Sequence, residues 1–448
     1  SGSLIDYDGD GNLSEGIAQE INGLQGTLLS VMQAYSVQIT TAQIGYHITA
    51  YPYFFFDLNA NGSIDEPEAT TDNAFTSWTS RLLQAGYNYH TSQKDPGAYA
   101  HNPKYTIQIL YDSISDLNSV LTTPIDISAT HRNDAGHFNS SSETFRHWDI
   151  FDSVEPRCAR CHTSDGLPTY LDNGVNIISG VSQGFTCATC HDLPEFPDLY
   201  SVDQVLFPNG STLSFGDGND SNICLNCHQG LGSTVSVNSS LGALQDDSLS
   251  TVLKLEHPHY LAAGATLFGT RAQGAYEYDG QTYVGRSPHV DVGTTCIFCH
   301  DAHALESKRD RCNICHPGYA KITDIRSTPG DFDGDTNETE GLSAEMDTLT
   351  EALLTAIQQN ALNTTGAPLG FDAQEYPYFS AAATANGIFD NHEGAFESWT
   401  PRLIRAAYNY LWVQNDQGAY AHNGLYIIQV LYDSLADLGA DMTAYTRP

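Results

Sequence analysis

The chain has 448 residues, with 18 Lys and Arg against 54 Asp and Glu, a formal charge of −36. That length suggests two to four domains, and the charge makes nucleic acid a poor partner and an anionic membrane face unfavourable, because both need clustered cations. No run approaches the roughly 20 apolar residues of a membrane-spanning helix. The opening SGSLIDYDGD has no basic-then-apolar leader, which leaves a cytosolic protein or, the preferred expectation, the processed form of an exported one.

Residues 1–122 read as a mainly helical domain. Apolar positions fall at helical spacing over 14–35, 73–92 and 103–118, and Pro103 after Asn102 suits the first position of a helix behind its N-cap. Two acidic loops interrupt the helices. Asp57, Asn59, Asn61, Gly62, Ser63, Ile64, Asp65 and Glu68 follow the ligand order of an EF-hand loop, with glycine at the sharp turn. The loop from Asp6 is less regular: Asp6, Asp8, Asp10, Gly11 and Leu13 fit, Asn12 adds an oxygen, but the closing position is Ile17 and Glu15 is the nearest carboxylate. Both predict Ca²⁺ in a structural role, since a divalent ion offsets clustered carboxylates. Solvated acidic turns are the plainer alternative.

Residues 123–326 contain all ten cysteines, as five CxxC pairs each followed by histidine: Cys158–Cys161–His162, Cys187–Cys190–His191, Cys224–Cys227–His228, Cys296–Cys299–His300 and Cys312–Cys315–His316. With 17 histidines in 448 positions, chance would place His after all five pairs about once in ten million tries. Two thiols three positions apart on one turn can add to the two vinyl groups of a haem, and the next residue, His, then reaches the iron. Structural zinc would combine such pairs two at a time, which leaves one of five unpartnered and gives the histidines no role. The pattern therefore predicts five haem c groups, with His162, His191, His228, His300 and His316 as proximal ligands. No thiol remains for a disulfide or lipid anchor.

The second axial ligand decides between a carrier and a catalyst. Residues 127–317 contain no methionine but hold seven further histidines, His131, His137, His147, His257, His259, His289 and His303. Five bis-His, low-spin haems need five of them. His147, His289 and His303 lie beside the motifs and His259 precedes a small-residue run. His137 is preferred over His131 and His259 over His257, with both choices open. Five haems in about 190 residues leave too little chain for an ordinary apolar core, so loops and short helices are expected to wrap around the porphyrins.

Residues 327–448 repeat the first domain. Asp331, Asp333 and Asp335 answer the first acidic loop, with Asn337 and Glu340 in the places of Asn12 and Glu15, although Thr336 replaces Gly11. Tyr51–Pro52–Tyr53–Phe54 recurs as Tyr376–Pro377–Tyr378–Phe379, Phe75, Ser77, Trp78 and Arg81 as Phe396, Ser398, Trp399 and Arg402, and GAYAHN occurs twice. Calcium is expected again at the Asp331 loop but not at the loop ending at Glu393, where Ala382 and Thr384 replace ligands. His101 and His422 match between the copies, remote from any motif, and read as structural. His47, His90 and His392 have no counterpart and read as ordinary.

The stretches THRNDAGHF, FRHWD, GNDSNICLNCHQG, AAGATLFGTRAQGAYEYDG and CHDAHALE, with AYAHNPKY in the flank, resemble the multihaem outer-surface c-type cytochromes of metal-reducing bacteria. The resemblance implies an extracellular or cell-surface electron carrier, not an enzyme, that exchanges electrons with partner cytochromes or external acceptors. Within that group some members form filaments, so a homo-oligomer or haem wire is one expectation. The competing expectation is a reductase of a small nitrogen or sulfur oxyanion with one open iron. No motif replaces its His with Lys, a known device of catalytic haems, and the negative surface would repel anions.

Overall fold

The computed structural model describes residues 6–12, 15–132, 143–182, 184–287, 289, 295–303, 307–326, 328–373, 376–382 and 394–448. Two compact units form. The first joins residues 1–154 with 162–164 and 180–186; the second joins 155–161, 165–179 and 187–448.

In the first unit α1 (Ile17–Tyr35) leads to a hairpin of β1 (Ile44–Tyr46) and β2 (Phe54–Phe56), then α2 (Ser80–Lys94), the one-turn α3 (Ala98–His101) and α4 (Pro103–Asn118). Ile21, Leu24, Leu28, Val31 and Met32 recur every three or four residues on α1 and share a buried core with Leu82 and Ala85 of α2 and Ile107, Leu110, Ile114 and Leu117 of α4. The hairpin is antiparallel, with Ile44 opposite Phe56 and Tyr46 opposite Phe54. Helix α4 spans the expected residues, opened by Pro103 and by Asn102, whose side chain accepts the Tyr105 N–H at 3.2 Å. The helix expected over 73–92 starts later, at Ser80. Thr79 accepts the Leu82 N–H at 3.1 Å as N-cap, and Trp78 Nε1 donates to the Phe75 carbonyl at 2.9 Å, which holds 75–79 outside the helix.

The segment carrying the motifs is built from short pieces: α5 (Glu143–Arg146), α6 (Pro156–His162), α7 (Gly166–Asn173), α8 (Cys187–Cys190), the hairpin of β3 (Val205–Leu206) and β4 (Thr212–Leu213), α9 (Asn222–His228), α10 (Thr234–Leu241), α11 (Ala263–Phe268), α12 (Cys296–Cys299) and α13 (Arg309–Cys315). This matches the expected mostly helical and loop-rich architecture.

The duplicated flank repeats the order of the first: α14 (Leu342–Thr365), a hairpin of β5 (Leu369–Phe371) and β6 (Phe379–Ala381), α15 (Pro401–Asn415) and α16 (Ala419–Asp437). The local devices repeat too. Thr400 caps Leu403 as Thr79 caps Leu82, and Asn409 donates to Ser434 Oγ at 2.9 Å as Asn88 does to Ser113 Oγ at 2.9 Å.

The copies differ in what covers them. Helix α15 is buried on most sides because the 263–285 segment lies over it. Tyr408 donates to the Gly274 carbonyl at 2.9 Å, Trp412 to Thr266 Oγ1 at 3.1 Å, and Asn409 brackets the Tyr276 backbone at 2.6 and 3.0 Å. Consequently one apolar core runs from Val205 and Phe268 into α14, α15 and α16, and the stretch after residue 187 shares a unit with the second repeat. In the first copy the equivalent Tyr87 is 72% exposed, where Tyr408 is 0% exposed.

Candidate haem centres and carboxylate loops

Every CxxC pair sits on a single turn. Positions i and i+3 of a turn share a face, so each helix presents two thiols side by side and carries the histidine at its end. All ten cysteines are unpaired, as thioether formation requires. Helix α9 is the most firmly seated. Buried Asn222 at its start accepts the Phe215 N–H at 2.8 Å and donates to the Val202 and Gly216 carbonyls at 2.8 and 2.9 Å, fixing the turn before Cys224. Thiols of different motifs lie against each other: Cys161 interacts with Cys227, and Cys224 with Cys296. Cys190 is within electrostatic range of Cys224, as is Cys312 of Cys299. The third motif thus lies beside the first, second and fourth, and the fifth beside the fourth. Zinc needs four ligands gathered in a tetrahedron; among the described residues, the groups of metal-type side chains close enough to share an ion are all carboxylates.

Three of the five motif histidines are oriented through their inner nitrogen. Nδ1 lies 3.0 Å from the Thr144 carbonyl in His162, 2.8 Å from the Pro197 carbonyl in His191 and 2.7 Å from the Leu261 carbonyl in His228. A carbonyl only accepts, so each Nδ1 carries the proton and leaves the Nε2 lone pair for a metal. Burial pushes His162 and His228 below the ordinary imidazole value, which favours the same neutral form.

Two of the expected distal histidines meet motif histidines. The His303 ring lies 6.2 Å from that of His191, nearly parallel at 14°, and the His289 ring lies 6.2 Å from that of His316. Two imidazoles on one iron, each at a metal–nitrogen bond of about 2 Å, have centroids roughly 6.4 Å apart. His147 is on α5's following turn, its Nδ1 3.0 Å from Glu143, and the Trp148 ring packs 4.9 Å from His147 and 5.0 Å from His162. His257 and His259 are neighbours, but His257 Nδ1 accepts the His259 backbone N–H at 3.0 Å. His257 Nε2 lies 3.4 Å from Asn415 Nδ2, so both ring nitrogens of His257 have a partner within the chain. His131 is exposed, its N–H donating to the Tyr7 carbonyl at 3.1 Å, and His137 lies outside the described residues.

The acidic loops form turns around their first carboxylate. Asp6 accepts from the N–H groups of Gly9, Asp10 and Gly11, and Asp331 from those of Gly334 and Thr336. Asp6, Asp8 and Asp10 cluster; so do Asp333, Asp335 and Glu340. The EF-hand template overlooked one carboxylate in each copy. Glu20 and Glu345 are fully buried, and each closes its loop by accepting two backbone N–H groups, from Tyr7 and Asp8 at 2.8 and 3.2 Å and from Phe332 and Asp333 at 2.8 and 2.9 Å. Their equal offset from Asp6 and Asp331 was the available signal. Oxygens remain buried without a hydrogen bond on Glu15, Asp333 and Glu340. Asn12 Nδ2 reaches Glu15 at 3.2 Å, and the Asn337 side chain accepts from Thr339. The Asp57 loop is different. It runs from β2 into a 3-10 turn rather than between two helices, and both Glu68 oxygens accept backbone N–H groups, from Leu58, Asn59 and Asp65. Asp57 accepts from Gly62 and Asn61, Asn61 from Ser63, and Asn59 donates to Asp65. Glu393 and Thr384 lie outside the described residues.

No helix among the described residues is long and apolar enough to cross a membrane. No protein-family model matches the chain, and no solved structure matches it significantly. Three curated proteins do. The C-type polyheme cytochrome OmcC of Geobacter sulfurreducens is 26% identical over 368 aligned residues, 67% of this chain and 45% of its own length. C-type polyheme cytochrome OmcB, from two strains of that organism, is 25% identical over 364 residues, 65% of this chain and 45% of its own length. The chain thus spans under half the length of the curated relatives it matches. It is a homologue of the C-type polyheme cytochromes of metal-reducing bacteria, over about two thirds of its residues.

Proposed function

We propose that the chain transfers electrons outside the cell through five covalently attached, bis-His haems, and is a conduit rather than an enzyme. When bound, each haem iron supplies a reversible one-electron couple. The protein's residues would do the rest: ten thiols would tether the groups, carbonyls orient three of the proximal imidazoles, and a second imidazole would close each iron against substrate. The observation that carries this reading is the pairing of His191 with His303 and of His316 with His289 at 6.2 Å. His137, His147 and His259 supply the other three distal positions, with His131 in reserve. A visible spectrum of the dithionite-reduced protein with and without carbon monoxide, beside a haem count, tests it. No change with five haems per chain is expected; a shift worth about one haem in five would favour the reductase with an open iron.

Assembly into a homo-oligomer or filament extends this reading. The first repeat exposes Leu83, Tyr87 and Tyr105 at positions whose counterparts Ile404, Tyr408 and Tyr426 are buried in the second. A second copy of this chain would cover that aromatic face, and light scattering of Tyr87→Glu beside the parent checks the assembly. Ca²⁺ at the Asp6 and Asp331 loops is likewise proposed, because Asp333 is only 6% exposed yet holds an oxygen with no hydrogen-bond partner. A hard cation satisfies such an oxygen where no donor does. The Asp57 loop is retained as a weaker third site.

A further inference from the structure

The proximal His300 has an imidazole facing it that the motif segment does not supply. The His422 ring, from the start of α16 in the duplicated flank, lies 6.4 Å from the His300 ring. That separation falls beside the 6.2 Å of the His191–His303 and His289–His316 pairs, and equals the roughly 6.4 Å that two imidazoles on one iron require. We propose that His422 is the distal axial ligand of the haem held by Cys296, Cys299 and His300. The proposal rests on the multihaem reading above and adds a ligand from 122 positions beyond the motif.

The seat of His422 is built for a metal ligand. Its Nδ1 lies 2.8 Å from Asp416 Oδ1 and 3.1 Å from Oδ2. The carboxylate accepts, so the Nδ1 proton is fixed and the Nε2 lone pair stays available. Asp416 is itself 3% exposed, held by the Gly418 N–H at 3.2 Å. The imidazole rests directly over Gly418, where a Cβ would stand 2.7 Å from the ring, so only glycine leaves room for it. At Asn423 the helix departs from helical angles, and that side chain donates to the Gly285 carbonyl at 2.9 Å, tying the His422 turn to the 263–285 segment. His228 lies in the same electrostatic neighbourhood, but among the described ring pairs the His422 imidazole stands against His300. With His422 on the fourth haem, His303, His289 and His259 serve the second, fifth and third. The first haem then needs only one of His147 and His137.

The test uses the full haem-loaded chain and reads the iron's spectrum. In His422→Gly, the reduced protein should bind carbon monoxide at about one haem in five, and added imidazole should suppress that binding by refilling the position. In a Cys296→Ser, Cys299→Ser background, which lacks the fourth haem, the same substitution should open nothing further. His422→Met guards against a folding defect: it should keep all irons six-coordinate and raise the potential of one haem of five. An unaltered spectrum and unaltered potentials in both His422 variants would overturn the proposal and leave the conduit reading intact. A haem opened by His422→Gly in the background without the fourth haem would overturn the pairing with His300. Carbon monoxide binding by the parent chain would instead count against the conduit reading itself.

Discussion

Asp416 stands 2.8 Å from Nδ1 of His422, and Asp95 stands 2.9 Å from Nδ1 of His101 in the other copy. The duplication therefore carried a carboxylate–imidazole unit, complete with its glycine, since a Cβ at Gly97 would also come within 2.7 Å of its histidine ring. Only the second unit faces a motif histidine among the described ring pairs. A carboxylate on Nδ1 makes an imidazole a stronger donor and favours the oxidised iron. Asp416→Asn should accordingly raise the potential of one haem in five while leaving the others in place. A spectroelectrochemical titration of parent and variant reads this directly, and five superimposable potentials would contradict it.

The His303 ring lies against His191 and the His289 ring against His316, so on the proposed pairing their losses should be independent. His303→Ala should make about one haem in five reactive to carbon monoxide, His289→Ala another, and the double variant about two in five, because distant sites add. A double variant that opens no more than either single would mean that both histidines address one iron.

Asn409 should matter more to stability than its repeat partner. It accepts from the Tyr276 N–H, donates to the Tyr276 carbonyl and reaches Ser434, all in a buried setting. Asn409→Ala strands both backbone groups, at about 1–3 kcal/mol each. Asn88 holds Ser113 from a half-buried position, so Asn88→Ala should cost about 1 kcal/mol. Denaturant unfolding of the two variants compares them, and equal losses would refute the asymmetry.

The local chemistry of this chain was legible in its sequence because it is local. Five CxxCH turns, the Asn102–Pro103 start of α4 and the duplication all follow from residues a few positions apart. The start of α2 was misplaced because the side-chain cap at Thr79 overrode the apolar spacing that continues back to 73. His422 was passed over for a different reason. Its repeat match with His101 pointed to a shared structural role, and nothing in the spacing links it to a motif 122 positions earlier. What joins them is the covering of α15 and α16 by the 263–285 segment, a tertiary event with no periodic trace. The buried Glu20 and Glu345 were missed because the EF-hand template places its last ligand elsewhere.

Glu345 tests how its loop is held. It is 0% exposed and pairs with Arg326 at 2.6 Å, whose side chain is itself buried. Removing one partner of such a pair leaves the other charge uncompensated, at about 3–5 kcal/mol. Glu345→Gln should therefore unfold at lower denaturant by that amount. A loss under about 1 kcal/mol, the range of exposed pairs, would mean that water reaches Arg326.

The acidic loops make stability depend on pH in a sense that calcium should reverse. Burial, with repulsion from Asp10, Glu20 and Glu15, pushes Asp8 from 3.8 up to about 6, against the backbone hydrogen bond from Asp10. Burial and neighbouring carboxylates likewise raise Asp333 and Glu340. A carboxyl whose folded value lies above its unfolded value binds its proton more tightly when folded. Its contribution is fully present below the unfolded value of 3.8 and is lost as pH rises through about 6. In a chelator, the loops should thus be least stable at neutral pH. Calcium bound as proposed would take the place of the protons, so its stabilising effect should be small near pH 5 and approach about 2.7 kcal/mol at neutral pH when calcium exceeds its Kd about 100-fold. Thermal unfolding at the two pH values, with calcium and with chelator, reads both signs. A calcium effect as large near pH 5 as at neutral pH would show that these carboxylates are not its ligands.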